Sequence, residues 1–594
     1  MKSSQTKQKK HQFLLKKHII LGIVAFSIFV LAGLFITYPL IFHLGEYVTG
    51  YGDELNYAWI YSWAIHSLLS GNITHLYDTN IFYPYHIGLA DSDPNLVTSF
   101  LAIIPLLLIK QPIAVVNFTV LSSIILVGFS LYLFAYYLTK NFYAAMFAGI
   151  IVIFSPAFLS FYAHIQMVAV EFVPLSLLFF LHFFKTRKTK FLSISLIFFL
   201  LQTYNNFLAG YFILFSYVII LGFAWFKNNK QVTVLMKKKN IMLFIISIVL
   251  LIPIMYPYYA VSKEFHYVRD IRDTIHFALQ PEDYLYSSSF SKLQPFLNSL
   301  PFNHVSQNNE FKPGFPGLVF FLLSILVFIF GWQKRNKITY FSAFLTIALS
   351  GLILSFGPFL HLGRVTIHKP FPIPLPYAVL YYLLPGFQGF RNSARWEMLF
   401  LLAMAILIAL SLHYFLKKYS FWKQTLVYCF LIAACISEYN FPMHFFTVPA
   451  VKNFPAVEQW LTTTPKQATI IEMPLYNWNM FPYANIEFWR MYYSTIHFRR
   501  TVNGGGGFTP PAWQPMAYSL DAIFPSEESL KIIKQMKVNY IIVHAKEFDQ
   551  LHEDKYKINR KVLPNGKELI KELLKDKSIH LIKRFNNDYV FQTT

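Results

Sequence analysis

The sequence predicts a polytopic α-helical membrane protein with about eleven transmembrane helices and a C-terminal α/β domain outside the cytoplasm. Hydrophobic residues make up 55% of the 594 and charged residues only 13%, about half the charged fraction of a soluble protein. The apolar residues form blocks long enough to cross the hydrocarbon core of a bilayer, such as 19–41, 241–259 and 398–415. Beyond residue 440 these blocks stop, and helix-like and strand-like patterns alternate.

Basic residues determine the predicted orientation. The formal net charge of +22 would by itself be compatible with nucleic-acid binding. The Lys and Arg residues stand in short clusters between the apolar blocks, however, which is the pattern that orients membrane proteins, so no nucleic-acid partner is expected. Lysines precede the first block, so the N-terminus is predicted to be cytoplasmic and residues 44–95 exterior, in a multi-pass protein of the plasma (inner) membrane.

The spans follow from the apolar blocks and the charges between them. Residues 100–109 are too few to cross alone, so 100–116 is predicted to lie in or dip into the outer interface. This threading places the basic clusters in the cytoplasm and the acidic residues before the tail outside, or near the outer ends of spans. The predicted spans are 19–41, 114–138, 143–158, 168–184, 191–205, 208–226, 241–259, 314–332, 338–357, 396–416 and 424–438.

Two domains are predicted, a transmembrane domain over 1–440 and an exterior soluble α/β domain over 441–594. Residues 44–113 form the first exterior loop of the transmembrane domain, with interfacial helices that carry Trp59, Trp63 and His66. Cys429 and Cys435 both lie in the last apolar block, so the exported parts are predicted to fold without disulfides. In the tail, the predicted helices are 455–461 and 526–536, and the predicted strands are 468–473, 539–544 and 579–585.

The first exterior loop carries two acids soon after the first span, Asp53 and Glu54. One interpretation is a solvated pair at a helix start, where the helix dipole favours negative charge. The other is a carboxylate at the membrane boundary that accepts a proton from a hydroxyl nucleophile. Further along, Asp91 and Asp93 have a spacing that suits a divalent metal such as Mg or Mn, although such a pair is more often a turn.

Further polar groups stand at the predicted outer ends of the spans, where unpartnered polar side chains are costly. They are His164, Gln166 and Glu171; Gln202, Tyr204, Asn205 and Asn206; Arg269, Arg272, Glu282 and Asp283; and Arg391, Arg395 and Glu397. Arg391 and Arg395 have i to i+4 spacing, which predicts that both face one side of a helix. Their partner is either a local acid such as Glu397 or a lipid phosphate, because a guanidinium binds phosphate bidentately.

The sequence contains no nucleotide-binding motif of the glycine-rich type and no zinc-binding motif. Residues 503–507 contain a run of glycines without the Lys and Ser or Thr of a nucleotide cradle, so a flexible loop is predicted there. No sequence spacing typical of a zinc site occurs.

The combination of these motifs resembles the GT-C superfamily, the polytopic glycosyltransferases that take sugars from polyprenyl-phosphate carriers on the non-cytoplasmic face. The resemblance is strongest to bacterial members of that type and covers most of the chain. The residues that carry it are 52–54, 82–85, 155–156, 164–166, 315–317, 384–387, 390–395 and 491–497 with the glycines that follow.

The resemblance implies a function and roles for residues. Members keep an essential carboxylate in the first exterior loop, which maps to Asp53, with Glu54 as the substitute. Many keep a second acid after the third span, where this sequence has His164 and Gln166 instead. The implied reaction is inverting hexosyl or pentosyl transfer to a surface glycan, lipid or protein in the cell envelope, with Arg391 and Arg395 holding the carrier phosphate. The residues expected to bind substrate are His164, Gln166, Tyr204, Asn205, Arg269, Arg272, Arg391 and Arg395.

Two other functions remain compatible with the sequence. One is a non-enzymatic GT-C-like scaffold for surface-polymer assembly, and the other is a transporter or flippase of lipid-linked intermediates. A transporter is expected to carry functional polar residues near mid-membrane, whereas the polar groups of this chain stand at the outer mouth.

Overall fold

The computed structural model describes residues 2–86, 88–227, 232–301, 314–362, 365–366, 372–477, 480, 483–558 and 561–593. The chain divides into two compact units. The first, called the helical unit, consists of Met1–Phe42, Thr119–Ile252 and Val268–His444. The second, called the mixed unit, consists of His43–Phe118, Pro253–Tyr267 and Phe445–Thr594.

Apolar helices occupy every segment that the sequence predicted to span the membrane. Six helical stretches within the described ranges are long and apolar enough to cross a bilayer: Lys16–Ile36, Ile113–Thr139, Ile165–Thr186, Phe207–Phe226, Lys238–Phe265 and Ser393–Leu416. The chain is therefore a polytopic α-helical membrane protein, and the number of crossings stays a prediction. Further apolar helices are Phe142–Ile153, Thr189–Asn205, Leu318–Leu326 with its continuation to Gly331, Phe341–Ser355 and Phe421–Glu438.

Two glycines allow close helix packing inside the helical unit. A Cβ on Gly149 would lie 2.3 Å from the carbonyl oxygen of Gly128, so the helices that carry these residues touch backbone to backbone. A Cβ on Gly351 would lie 2.5 Å from the backbone nitrogen of Phe400. Small residues at such crossings increase van der Waals contact, which drives helix association where lipid is as apolar as the side chains.

The individual helices of each unit vary in length. Those of the helical unit are Pro156–Ser160, Ile165–Val168, Phe172–Thr186, Ile271–His276, Gln294–Asn298, Pro376–Leu383 and Glu397–Leu416. Those of the mixed unit are Asp53–Leu69, Leu96–Leu101, Ile103–Ile109, Ala456–Leu461, Ile486–Ser494, Trp513–Ile523, Glu527–Gln535, Ala545–Glu553 and Gly566–Leu573.

The strands, in chain order, are β1 (Tyr47–Val48), β2 (His361–Leu362), β3 (Val365–Thr366), β4 (Phe446–Thr447), β5 (Thr469–Met473), β6 (Arg500–Thr501), β7 (Tyr540–His544), β8 (Lys557–Ile558), β9 (Lys561–Val562), β10 (Ile579–Phe585) and β11 (Asp588–Thr593). Five of them form one mixed sheet in the order β10-β11-β7-β5-β6. The pairs β5–β6 and β5–β7 are parallel, and β7–β11 and β10–β11 are antiparallel. The predicted tail strands are thus confirmed.

The mixed unit joins the first exterior segment to the C-terminal residues by backbone hydrogen bonds. The Thr501 amide donates to the Asn80 carbonyl at 2.7 Å, and the Phe82 amide donates to the Asn503 carbonyl at 2.9 Å. Strand β1 pairs with β4 in the same unit. The domain boundary near residue 440 stays a prediction. The structure groups residues 44–113 with the tail. The sequence did not predict this grouping, because contacts between segments distant in sequence leave no local pattern.

Candidate functional site

The two acids of the first exterior segment begin one helix, the Asp53 helix (Asp53–Leu69). Asp53 is half-buried at the first helical residue, where the helix dipole stabilises a carboxylate. Glu54 is only 4% exposed, and its Oε1 accepts a hydrogen bond of 2.8 Å from the Thr49 hydroxyl. The interpretation of two solvated acids is therefore wrong for Glu54. Asp53 is the more accessible carboxylate of the pair.

The aromatic face of the Asp53 helix is covered by protein. The Trp59 ring is fully buried, and its Nε1 donates to Asn80 Oδ1 at 3.0 Å. The Trp63 Nε1 donates to the Leu76 carbonyl at 2.7 Å. His66 stacks on Phe498, with ring centroids 4.4 Å apart. The Trp59 and Trp63 rings are buried inside the mixed unit, while His66 is exposed. The interfacial position of this helix stays a prediction.

The predicted metal residues lie in a short turn of the mixed unit. The Asp93 carbonyl accepts a hydrogen bond of 2.9 Å from the Asn95 side chain. The side chain of Asp91 lies outside the described residues. Within the described part of the chain, no group of three or more His, Cys, Asp or Glu side chains has the arrangement of a metal site. The assignment of Mg or Mn to Asp91 and Asp93 stays a prediction.

In the helical unit, two polar groups separated in sequence come together. Asn206 Nδ2 donates to the Gln166 carbonyl at 2.9 Å. Gln202 Nε2 donates to the Ala169 carbonyl at 2.9 Å, and Asn205 Nδ2 donates to the same carbonyl at 3.4 Å. The amides of the 202–206 segment therefore hold the short helix Ile165–Val168 and the following Ala169 in place.

Other members of this polar cluster have different surroundings. His164 is half-buried and precedes the short helix Ile165–Val168. Glu171 is buried, and its Oε2 has no hydrogen-bond partner among the residues that the structure describes. The Tyr204 hydroxyl donates to the Leu250 carbonyl at 2.5 Å. Tyr204 thus fixes a helix contact, and its predicted role in substrate binding stays a prediction.

The four arginines of the helical unit belong to two segments that run against each other. The Arg269 amide donates to the Gln388 carbonyl at 3.0 Å, and the Tyr381 hydroxyl donates to the Arg269 carbonyl. The Arg391 guanidinium lies over the Phe277 ring, 4.7 Å from its centroid. The segments 269–277 and 388–391, more than a hundred residues apart in sequence, thus contact each other.

Arg272 and Arg395 differ in their hydrogen bonds to other protein groups. Arg272 is 85% exposed and binds Asp270 through Nε at 2.9 Å and Nη2 at 2.5 Å. The hydrogen bonds from Arg272 lower the pKa of the Asp270 carboxyl. Arg395 is half-buried, and its Nε has no hydrogen-bond partner among the described residues. The Arg395 guanidinium thus keeps an N–H group without an acceptor within the described part of the chain.

Two expectations for the arginine segment are wrong. Arg391 and Arg395 do not share a helix face, because Arg391 lies in an extended stretch before the 3-10 turn Ser393–Trp396, and the helix begins only at Glu397. The Glu397 carboxylate is fully buried, and within the described ranges neither of its oxygens has a hydrogen-bond partner. Glu397 therefore does not neutralise Arg395.

The tail contains a buried ionic network that the sequence did not predict. Arg490 donates to Glu487 at 2.9 Å and to Glu547 at 2.7 Å, and its Nε lies 3.6 Å from Glu472. His544 lies 3.0 Å from Glu472 and 2.9 Å from Asp588. Glu487 and Arg490 have i to i+3 spacing. The contacts with Glu472, Glu547 and Asp588 join residues distant in sequence, so a sequence pattern could not have revealed the network.

This network lies at the carboxyl ends of the parallel strands β5 and β7. Burial alone would lower the pKa of His544, but Glu547, Asp588 and Glu472 outweigh it and raise the pKa to about 10. His544 is therefore a cation at neutral pH. Asn503 donates to Glu487 at 3.0 Å and to the Glu472 carbonyl at 2.9 Å. Most groups of the network are paired, but Arg490 Nε and Glu487 Oε2 have no hydrogen-bond partner among the residues that the structure describes.

The glycine run after Asn503 opens no helix, as expected for a segment that is not a nucleotide cradle. It is packed, however, and not an exposed loop. A Cβ on Gly504 would lie 2.7 Å from the Phe82 ring, so only glycine fits this approach. The run thus forms part of the contact between the first exterior segment and the tail.

Comparison with known proteins concerns the fold. No family model matches the chain, and no curated protein sequence matches it. The arabinofuranosyltransferase AftD from mycobacteria is similar in structure over 96% of this chain, with 13% identity and a TM-score of 0.55. The chain has the GT-C fold.

Other GT-C structures are similar over most of this chain. A variant of AftD matches 96% of it, with 12% identity and a TM-score of 0.51. ArnT from Cupriavidus metallidurans, solved with undecaprenyl phosphate, matches 97% of this chain and 98% of its own, with 9% identity and a TM-score of 0.37. The present chain spans 40% of the length of the AftD chain.

Proposed function

We propose that this chain is a membrane glycosyltransferase that moves a hexosyl or pentosyl group from a polyprenyl-phosphate carrier to an exterior glycan, lipid or protein of the cell envelope. The observation that carries the proposal is the GT-C fold, which extends over 96% of the chain. The half-buried carboxylate of Asp53 and the incompletely paired guanidinium of Arg395 supply side chains suited to such a transfer.

In this proposal, Asp53 is the general base. Its carboxylate accepts the proton of the acceptor hydroxyl as the oxygen attacks the anomeric carbon, and inversion follows from attack opposite the leaving phosphate. Glu54 is buried and accepts a hydrogen bond from Thr49, so its role is to hold the start of the helix. His164 and Gln166 are proposed to contact sugar or acceptor. No step depends on a metal at Asp91 and Asp93.

The arginines are proposed to hold the carrier phosphate. A buried guanidinium N–H without an acceptor costs about 1–3 kcal/mol, and a phosphate oxygen would remove that cost at Arg395. Arg391 and Arg269 add positive charge on the same two segments. Arg272 is already bound to Asp270 in an exposed pair and contributes less.

Arg395→Ala is expected to raise the apparent Michaelis constant for a polyprenyl-phosphate sugar about 10- to 100-fold with little change in kcat, because hydrogen bonds to charged groups contribute roughly 1.5–3 kcal/mol. Arg395→Lys should recover only part of the loss, since an ammonium lacks the planar fork. The exposed Arg335 provides a matched control in Arg335→Ala. An unchanged Michaelis constant in Arg395→Ala would remove Arg395 from phosphate binding.

The proposed exterior location of the site is tested by reporter fusions. Fusions after Lys239 and Lys337 are expected to report cytoplasm, and fusions after Asp93 and Lys452 are expected to report the exterior. Because residues 80–83 pair with 501–503, the first exterior segment and the tail must share one side. Opposite results for Asp93 and Lys452 would contradict that pairing, and a cytoplasmic Asp93 would contradict the proposed orientation.

A further inference from the structure

Asn80 occupies a junction of three segments inside the mixed unit. Its side-chain Oδ1 accepts a hydrogen bond of 3.0 Å from Trp59 Nε1 on the Asp53 helix. Its Nδ2 donates to the Ser494 hydroxyl at 3.2 Å and to the Arg499 carbonyl at 3.3 Å. Its own carbonyl accepts from the Thr501 amide at 2.7 Å. The residue is 2% exposed, so water cannot take over these bonds.

We infer that Asn80 is a positioning residue through which the C-terminal residues set the placement of Asp53. The inference rests on the proposed function, in which Asp53 is the base. It adds that the tail, 414 residues away from Asn80 at Ser494, is part of what holds the catalytic carboxylate in its working position.

Tail residues contact one face of the Asp53 helix. Trp59, Trp63 and His66 are spaced at four and three residues, so they lie on the same side of the helix. Trp63 contacts the Phe498 ring edge-on at 5.6 Å, and His66 stacks on the same ring at 4.4 Å. One tail ring thus fixes the second half of the helix.

Asn80 fixes the first half of the Asp53 helix through its hydrogen bond with Trp59. Trp59 follows Asp53 by six residues, or about 9 Å along the axis at 1.5 Å per residue. A helix of this length moves as one body, so a shift at Trp59 displaces the Asp53 carboxylate. Misplacement of a reacting group by about 1 Å can cost about 100-fold in rate.

The hydrogen bonds at residue 80 require an amide side chain. The bonds to Trp59 and to Ser494 need an acceptor and a donor on one short side chain, which Asn provides. An apolar residue at this position would leave the Trp59 N–H and the Arg499 carbonyl buried without this partner. Asn80 therefore connects the Asp53 helix to the tail by hydrogen bonds, which an apolar side chain of similar size could not form.

The test compares three variants of the full chain in nanodiscs. Asn80→Ala removes the junction, and Ser494→Ala removes one acceptor on the tail side as the milder change. Asn539→Ala is the matched control, because Asn539 is exposed and its Oδ1 accepts from the Thr469 amide at 2.8 Å on the side of β5 that faces β7. Hydrogen exchange of amides 53–69 and steady-state sugar transfer are measured for each, with protein amount and melting in parallel.

Asn80→Ala is expected to speed exchange in the Asp53 helix at least about tenfold and to lower kcat about 10- to 100-fold, with the donor Michaelis constant within about twofold. Ser494→Ala should change both quantities in the same direction by a smaller factor. Asn539→Ala should speed exchange only in β5 and β7 and leave kcat unchanged.

The inference is overturned if Asn80→Ala and Ser494→Ala leave exchange of residues 53–69 at the wild-type level, or if Asn539→Ala speeds it equally. It is also overturned if exchange accelerates while kcat stays unchanged. Absence of transfer by the wild-type chain with every polyprenyl donor defeats the proposed function instead. In that case, the exchange measurement alone decides whether Asn80 couples the Asp53 helix to the tail.

Discussion

Asp53→Asn is expected to lower the rate of sugar transfer by about two to four orders of magnitude, the usual cost of losing a general base. The substitution preserves size and hydrogen bonding but removes the proton acceptor. Folding should be little affected, because a carboxylate at a helix start contributes only about 1 kcal/mol. The measurement is transfer from a polyprenyl-phosphate donor by purified protein in nanodiscs.

Glu46→Gln is the control for this experiment, because Glu46 is an exposed acid in the same segment and undergoes the same acid-to-amide change. Its transfer rate should match the wild type. Unchanged transfer by Asp53→Asn would remove Asp53 from the mechanism and direct attention to Glu54. If the wild type transfers no sugar, the non-enzymatic scaffold becomes the better interpretation of the fold.

Arg490→Met is expected to destabilise the mixed unit by about 3–5 kcal/mol, since removing one member of a buried ion pair leaves the others uncompensated. The three carboxylates that surround Arg490 are Glu472, Glu487 and Glu547. Methionine retains much of the side-chain volume, so the loss reflects charge and not a cavity.

The cost of Arg490→Met can be measured by urea unfolding followed through tryptophan fluorescence. Arg584→Met is the comparison, because Arg584 is exposed on β10 and the same substitution there should change stability by less than about 0.5 kcal/mol. Equal stability of the two variants would show that the network around Arg490 contributes nothing net to the fold.

Local patterns in the sequence predicted the helices of the membrane region and the strands of the tail. Apolar length identifies a membrane helix by itself, as at 241–259, and apolar residues in a short run identify β7. Such signals are local, because each depends on the periodicity of one segment. The elements predicted from them are therefore present in the structure.

The sequence was less informative where a side chain depends on distant neighbours. The i to i+4 spacing of Arg391 and Arg395 predicted a shared helix face, but the helix begins only at Glu397. One of the two interpretations placed Glu54 in solvent, but its side chain is buried and accepts a hydrogen bond from Thr49. The residues around Asp53 were identified, whereas Asn80 was missed because an isolated Asn in a loop has no pattern that marks it.

The pairing of residues 80–83 with 501–503 also has a consequence for how the protein is made. Ser494 leaves the ribosome 414 residues after Asn80, which at about 5–20 residues per second is a delay of roughly 20–80 seconds. During that interval, Trp63, Phe82 and Asn80 lack their partners in the tail. A growing chain therefore displays an incomplete surface that only the last quarter of synthesis can close, and nascent chains stopped early would be open to proteases and chaperones.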